Sequence, residues 1–272
     1  LHLVGYVTDI AGNMSPSKVT DVTLDRVAPP APQSAVITSP DAPSGYINAA
    51  IAAAVPVIVT FGTGSSTDEV VFVTLADGTH IHATSPIAVQ PSASVTISAN
   101  AAVLTDGTIT LKTTVRDAVG NETETIFASI QKDTVSPAAA VSVVIAADVT
   151  HPVNAISSQT ESSNGVVITW PASVEAGATY AARLSDGVTT VTYVSGGTPV
   201  AGGQSTPNVD ASSLSDGNLS HVVTVTDLAG NTGTTTATVT KNTVVPTVLI
   251  VPLLVIRFLM MAGNWGQHAF VD

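Results

Sequence analysis

The box Asp-x-x-Gly-Asn occurs three times in the chain, starting at Asp9, Asp117 and Asp227, 108 and 110 residues apart. A second mark is Asp or Asn followed four residues later by proline. It stands at Asp25/Pro29, Asp133/Pro137 and Asn242/Pro246, with steps of 108 and 109. Two Asp-Gly turns, Asp77 with Asp186 and Asp106 with Asp216, recur after 109 and 110 residues. Four marks on one period make the chain a set of tandem modules. The period is long enough for a small domain with its own core and too long for one solenoid rung.

The marks divide the chain into the end of one module (1–29), two complete modules (30–137 and 138–246) and an atypical apolar tail (247–272). Opening at Leu1 in mid-module, it reads as a piece of a longer protein.

Within 30–137, short runs rich in Val, Ile and Thr alternate with Gly, Asp and Asn turns. Ser34–Thr38, Val55–Phe61, Glu69–Leu75, Thr79–Ala83, Ser94–Ala99, Thr108–Val115 and the run after Asn121 read as strands A to G. Seven short strands at this spacing predict an all-β chain of Ig-like β-sandwich modules in a linear array. Residues 138–246 repeat the plan, with Trp170 as a core plug at the end of strand B. The stretch Ser195–Pro207, rich in Gly and Pro, reads as a mobile loop.

A net charge of −12 argues against nucleic acid, whose phosphates need Lys and Arg, and favours cations as partners. The absence of Cys excludes disulfides and thiolate metal sites. No serine stands in a nucleophile elbow, and no Gly-rich loop precedes a helix, so the chain is read as no enzyme. His80 and His82 share one strand face, with no third metal ligand in view.

The combination of L-x-D-G, V-x-D-x-x-G-N and K-D-T-x-x-P, with its period, resembles the bacterial Ig-like tandem repeats of large surface adhesins and biofilm-associated proteins. The likeness covers 1–246. It implies stalk or spacer modules of a cell-surface or secreted adhesin, extracellular, with calcium stiffening the module junctions. It also implies that a host or surface glycan or protein is met through a tip domain outside this chain. Two other readings stay open: modules that bind glycan or protein themselves, and accessory modules beside an enzyme domain.

In an Ig-like sandwich the B–C and F–G loops share the entry pole, and the C–D and E–F loops share the exit pole. Stacking the second complete module on the first therefore gathers Asp77, Asp106 and Asp133 from one side. Asp227, Asn231 and Glu175 come from the other. The preceding junction gathers Asp25, Asp68, Glu69, Asp117 and Asn121. Carboxylates so close repel unless neutralised, and Ca²⁺ takes six to eight oxygen ligands in flexible geometry. The same residues also suit plain turns, since Asp and Asn close them with their own side chains. The junction after Pro246 has Asn242 in place of Asp and is expected to bind more weakly.

The tail breaks the pattern. Its apolar run, interrupted by Pro252 and Arg257, is short of the ~20 residues that span a bilayer, so membrane contact is not expected. A first strand without its sheet, or a non-native reading frame, fits better.

Overall fold

The computed structural model describes residues 1–127, 129–147 and 151–247. The expectations for the tail lie outside them, apart from Thr247. Every described element is a strand.

The first hairpin is β1 (His2–Gly5) with β2 (Lys18–Asp21), and every residue from 1 to 28 is exposed. The next unit holds β3 (Ser34–Ile37), β4 (Tyr46–Ile47), β5 (Val55–Thr60), β6 (Val70–Ala76) and β7 (Ile81–Ala83). It continues with β8 (Ile87–Ala88), β9 (Ser94–Ala99), β10 (Gly107–Arg116), β11 (Glu122–Ile126) and β12 (Ile130–Lys132). One sheet runs β3-β5-β9; the other runs β4-β12-β10-β6-β7, with β11 on β10 and β8 on β6. The two sheets close on a core of Val55, Val57, Val59, Phe61, Val71, Leu75, Ile97, Ile109 and Leu111. Strict alternation along β5 and β6 turns one face of each strand inward, as period-two patterning requires.

The following unit holds β13 (Ser142–Ile145), β14 (Ala155–Ser157), β15 (Asn164–Thr169), β16 (Thr179–Ser185) and β17 (Thr190–Gly197). It ends with β18 (Gln204–Ser205), β19 (Asn208–Val209), β20 (Gly217–Thr226) and β21 (Thr232–Asn242). Its sheets are β13-β15-β18, with β19 also on β15, and β14-β21-β20-β16-β17. A second, separate core forms around Trp170, Ile168, Leu184, Leu219 and Val223. Trp170 is buried and tilted against Tyr180 at 4.8 Å, and its Nε1 donates to Ser205 Oγ at 2.9 Å. These are tandem Ig-like β-sandwiches.

Three local expectations change. Of Thr79–Ala83, expected as strand D, only Ile81–Ala83 is strand; it pairs with β6 and so extends the sheet that contains β10, while His80 lies outside it. The expected loop Ser195–Pro207 is partly strand: its start belongs to β17, and Gln204–Ser205 pairs with β15. The Ser205 side chain is needed there by the Trp170 indole. The expected strand A is two pieces. After β3 the chain crosses to the other sheet, where β4 runs parallel to β12, and β14 runs parallel to β21 in the same way.

The last strand of each complete unit carries a buried lysine at or next to its end. Lys132 Nζ meets Asp106 Oδ1 at 2.5 Å. Lys241 Nζ meets Glu161 and the carbonyls of Ala211 and Leu214 at 2.7–3.0 Å. A buried ammonium needs such partners, because desolvation otherwise expels it.

Candidate metal centre at a module junction

The Asp-x-x-Gly-Asn box folds the same way each time. In the middle copy Asp117 Oδ1 accepts the N–H groups of Val119, Gly120 and Asn121 at 2.7–3.0 Å, and Asn121 Nδ2 donates to Asp117 Oδ2 at 2.7 Å. Asp9 with Asn13 and Asp227 with Asn231 repeat the Asn contacts. The glycine takes φ between 87° and 97° in all three, a left-handed value that only glycine holds without strain. Hydrogen bonds from Asn13, both side chain and backbone, hold the Asp9 carboxyl below its ordinary range. Asp117 is also lowered, with hydrogen bonds from Asn121 and Gly120 outweighing desolvation.

The linker mark is also a turn. Asp25, Asp133 and Asn242 each accept the N–H two residues on, at 2.9–3.0 Å.

One junction assembles carboxylates beyond these turns. Asp133 of the linker, Glu175 before β16 and Asp227 of the box each offer an oxygen within 4.8 Å of the others. Partial desolvation, then repulsion from Asp227 and Asp133, pushes the Glu175 carboxyl above its ordinary value. Asn231 ties the group together. Its Nδ2 donates to Asp133 O and Asp227 Oδ2, both at 2.9 Å, and its Oδ1 accepts the N–H of Ala49 at 3.0 Å.

At the preceding junction Asp25, Asp68, Glu69 and Asp117 line one cleft of about 370 Å³. Glu69 is 7% exposed, and its Oε2 lacks a hydrogen-bond partner among the described residues. The acids here come from Asp68 and Glu69 because Ser66 stands where the next module has Glu175. Both make the same turn, accepting an N–H from the residue three further on at 3.3 Å.

Asp77 and Asp106 are not drawn into the cluster. Asp77 accepts N–H and O–H groups of Thr79 and Thr105, the His80 N–H and a contact from His80 Nδ1, all within 3.0 Å. Those bonds, from Thr105 first, hold its carboxyl far below the usual range. Asp106 is spent on Lys132 and Thr134. Neither belongs to the group formed by Asp133, Glu175 and Asp227. Asp186 and Asp216 repeat this behaviour with Thr189, Ser215 and Thr243.

Two contributors escaped the sequence reading. The segment around Pro43, Asn48 and Ala49 meets the next module's box, and nothing in its composition signals that. The buried lysines were visible as Lys132 and Lys241, at the same period as the other marks.

No protein-family model and no curated protein matches the chain. The chain is similar to solved bacterial adhesin modules. It is 27% identical to a Ca²⁺-stabilized adhesin that helps an Antarctic bacterium reach out and bind ice; the match covers 88% of this chain and 56% of that one, at TM-score 0.41. It is 19% identical to a tetra-tandem repeat in the extending region of a large adhesion protein, over 87% and 55%, at TM-score 0.30. With a 1.5-MDa bacterial ice-binding adhesin it shares 20% identity over 88% and 73%, at TM-score 0.40. The match spans just over half the length of the first two.

Proposed function

We propose that the chain is a length of stalk in a bacterial surface or secreted adhesin, extracellular and without catalytic activity, and that Ca²⁺ at the module junctions sets its stiffness. Two complete modules, 30–137 and 138–246, are the repeating units. The observation that carries the reading is the meeting of Asp133, Glu175 and Asp227, one each from the linker and two loops of the following module. Three carboxylates in one small volume are costly on their own. A hard divalent cation with oxygen ligands removes that cost, and the donor set is all oxygen. The buried, unpartnered Oε2 of Glu69 supports the same role at the preceding cleft.

The residues that would hold the ion are Asp133, Glu175 and Asp227 at one junction and Asp25, Asp68, Glu69 and Asp117 at the other. Asn121 and Asn231 shape the boxes. The ion would supply charge neutralisation and a cross-link between successive modules, which fixes their angle.

Small-angle scattering of the chain with Ca²⁺ and with chelator tests this. Ca²⁺ is expected to lengthen and narrow the distribution of shapes. Superimposable curves would leave the acids as turn residues only and end the calcium reading.

A further inference from the structure

We propose that His221 is an acid-sensitive element that loosens the core of the 138–246 module as pH falls, while the 30–137 module stays closed. The residue lies on β20, six positions before the Asp-x-x-Gly-Asn box, and is completely buried. The same place in the preceding module, six before Asp117, is held by buried Leu111. A titratable ring therefore replaces an aliphatic plug in one of two otherwise parallel cores.

The surroundings suit only the neutral ring. Leu184 of β16 and Ala237 of β21 are its cross-strand neighbours. The hydroxyl of Tyr193, on β17, bonds Nε2. Nδ1 is buried with no partner among the described residues. From the facing sheet β13, β15 and β19 present Val143, Ile145, Val166, Ile168 and Val209. The other titratable groups turned inward on this sheet are Tyr180 on β16 and Lys241 on β21. Lys241 is held at the far end of its strand by Glu161 and two carbonyls. Arg183 of β16 is exposed on the opposite face. Among the described residues no carboxylate is in place to receive an imidazolium.

A protonated ring has two N–H groups to satisfy and one acceptor within reach. The charge must also leave water. Burial accordingly lowers the His221 pKa to about 4. An unfolded histidine titrates near ~6.5. The unfolded chain thus takes up the proton first as pH falls. This residue's contribution to stability is complete above the unfolded value and is lost progressively down to the folded one.

Hydrogen exchange of the full chain, followed by mass spectrometry at about pH 7 and about pH 5 and corrected for intrinsic rates, tests the proposal. Protection of the β20 amides is expected to fall roughly tenfold or more relative to those of β10. His221→Leu, which copies the residue found at 111, should abolish that difference. Glu175→Gln should retain it, because the junction acids are not its source. Equal protection ratios at the two pH values overturn the proposal, as does a fall that survives His221→Leu or vanishes in Glu175→Gln. Should the Leu variant misfold, carbon-detected NMR titration of the wild-type rings decides. A His221 ring that titrates at the ordinary histidine value, near ~6.5, sinks the idea.

Discussion

Asn231 Oδ1 accepts the backbone N–H of Ala49, 182 positions earlier, at 3.0 Å. The same side chain donates to the Asp133 carbonyl and to Asp227. One amide thus joins the end of one sandwich, the linker and the start of the next. Gly230 beside it lies under Pro43, where an added Cβ would stand 3.0 Å from the proline ring. The junction is therefore held by hydrogen bonds and packing, against the mutual repulsion of its carboxylates.

Asn231→Ala should loosen the junction. It removes the part-buried hydrogen bonds to the Ala49 N–H and the Asp133 carbonyl, each worth about 0.5–1.5 kcal/mol. The scattering-derived shape distribution should broaden. Asn121→Ala, which loses the bond to Asp117 within its own box, should disturb the junction that follows β12 far less.

Glu175→Gln should act in opposite directions with and without cation. In chelator it removes a repelling charge beside Asp133 and Asp227, so the melting temperature should rise. The increment given by added Ca²⁺ should shrink or disappear. A melting curve of each variant in both buffers reads the two effects together.

The raised pKa of Glu175 also fixes a sign. The folded chain holds this proton to higher pH than the unfolded chain. That contribution to stability is present below the unfolded value and is lost as pH rises through the folded one. In chelator, mild acid should tighten the Asp133–Glu175–Asp227 junction. With Ca²⁺ present the order reverses, because protons and the ion compete for the carboxylates. Hydrogen exchange at Glu175–Ala178 against pH in the two buffers checks this separately from the β20 core.

Gly233→Ala should destabilise the 138–246 sandwich. A Cβ there overlaps the carbonyl oxygen of Pro137, which is backbone and cannot swing aside. Overpacking of this kind costs about 1–3 kcal/mol. Gly78→Ala is the control: it has open space and only the strain of a φ of 92°. Denaturant midpoints should separate the two.

Trp170→Ala should be the severest single change among these, about 3–5 kcal/mol for an emptied aromatic site. Trp170→Phe keeps most of the contact with Tyr180 and leaves Ser205 Oγ without the indole donor. Its smaller loss in a denaturant titration would confirm that volume outweighs the hydrogen bond.

The modular plan was legible because it rests on short-range rules. Turns at Asp77, Asp117 and Asp186 need their own side chains and a following glycine, and strands such as Val55–Thr60 need only alternation. Asp133 and Glu175 could be placed at one junction from loop order alone. Less legible was which acids are already used. Asp77 and Asp106 carry the same Asp-Gly signature as any turn, and only the approach of Thr105 and Lys132 consumes their oxygens. The loop expected over Ser195–Pro207 hid a strand for a similar reason. Gln204–Ser205 has no apolar pattern of its own and is strand because β15 lies beside it.

Sequence alone thus determined the repeat, the all-β class and the conformation of each Asp-x-x-Gly-Asn box, since these depend on contacts within a few residues and on period-two burial. Tertiary structure decided which carboxylates face one another, that Ala49 meets Asn231, and that His221 sits in an apolar core with one nitrogen unpaired among the described residues. Those outcomes depend on groups brought together across a hundred residues or more, where distance and desolvation, rather than local conformation, set the energy.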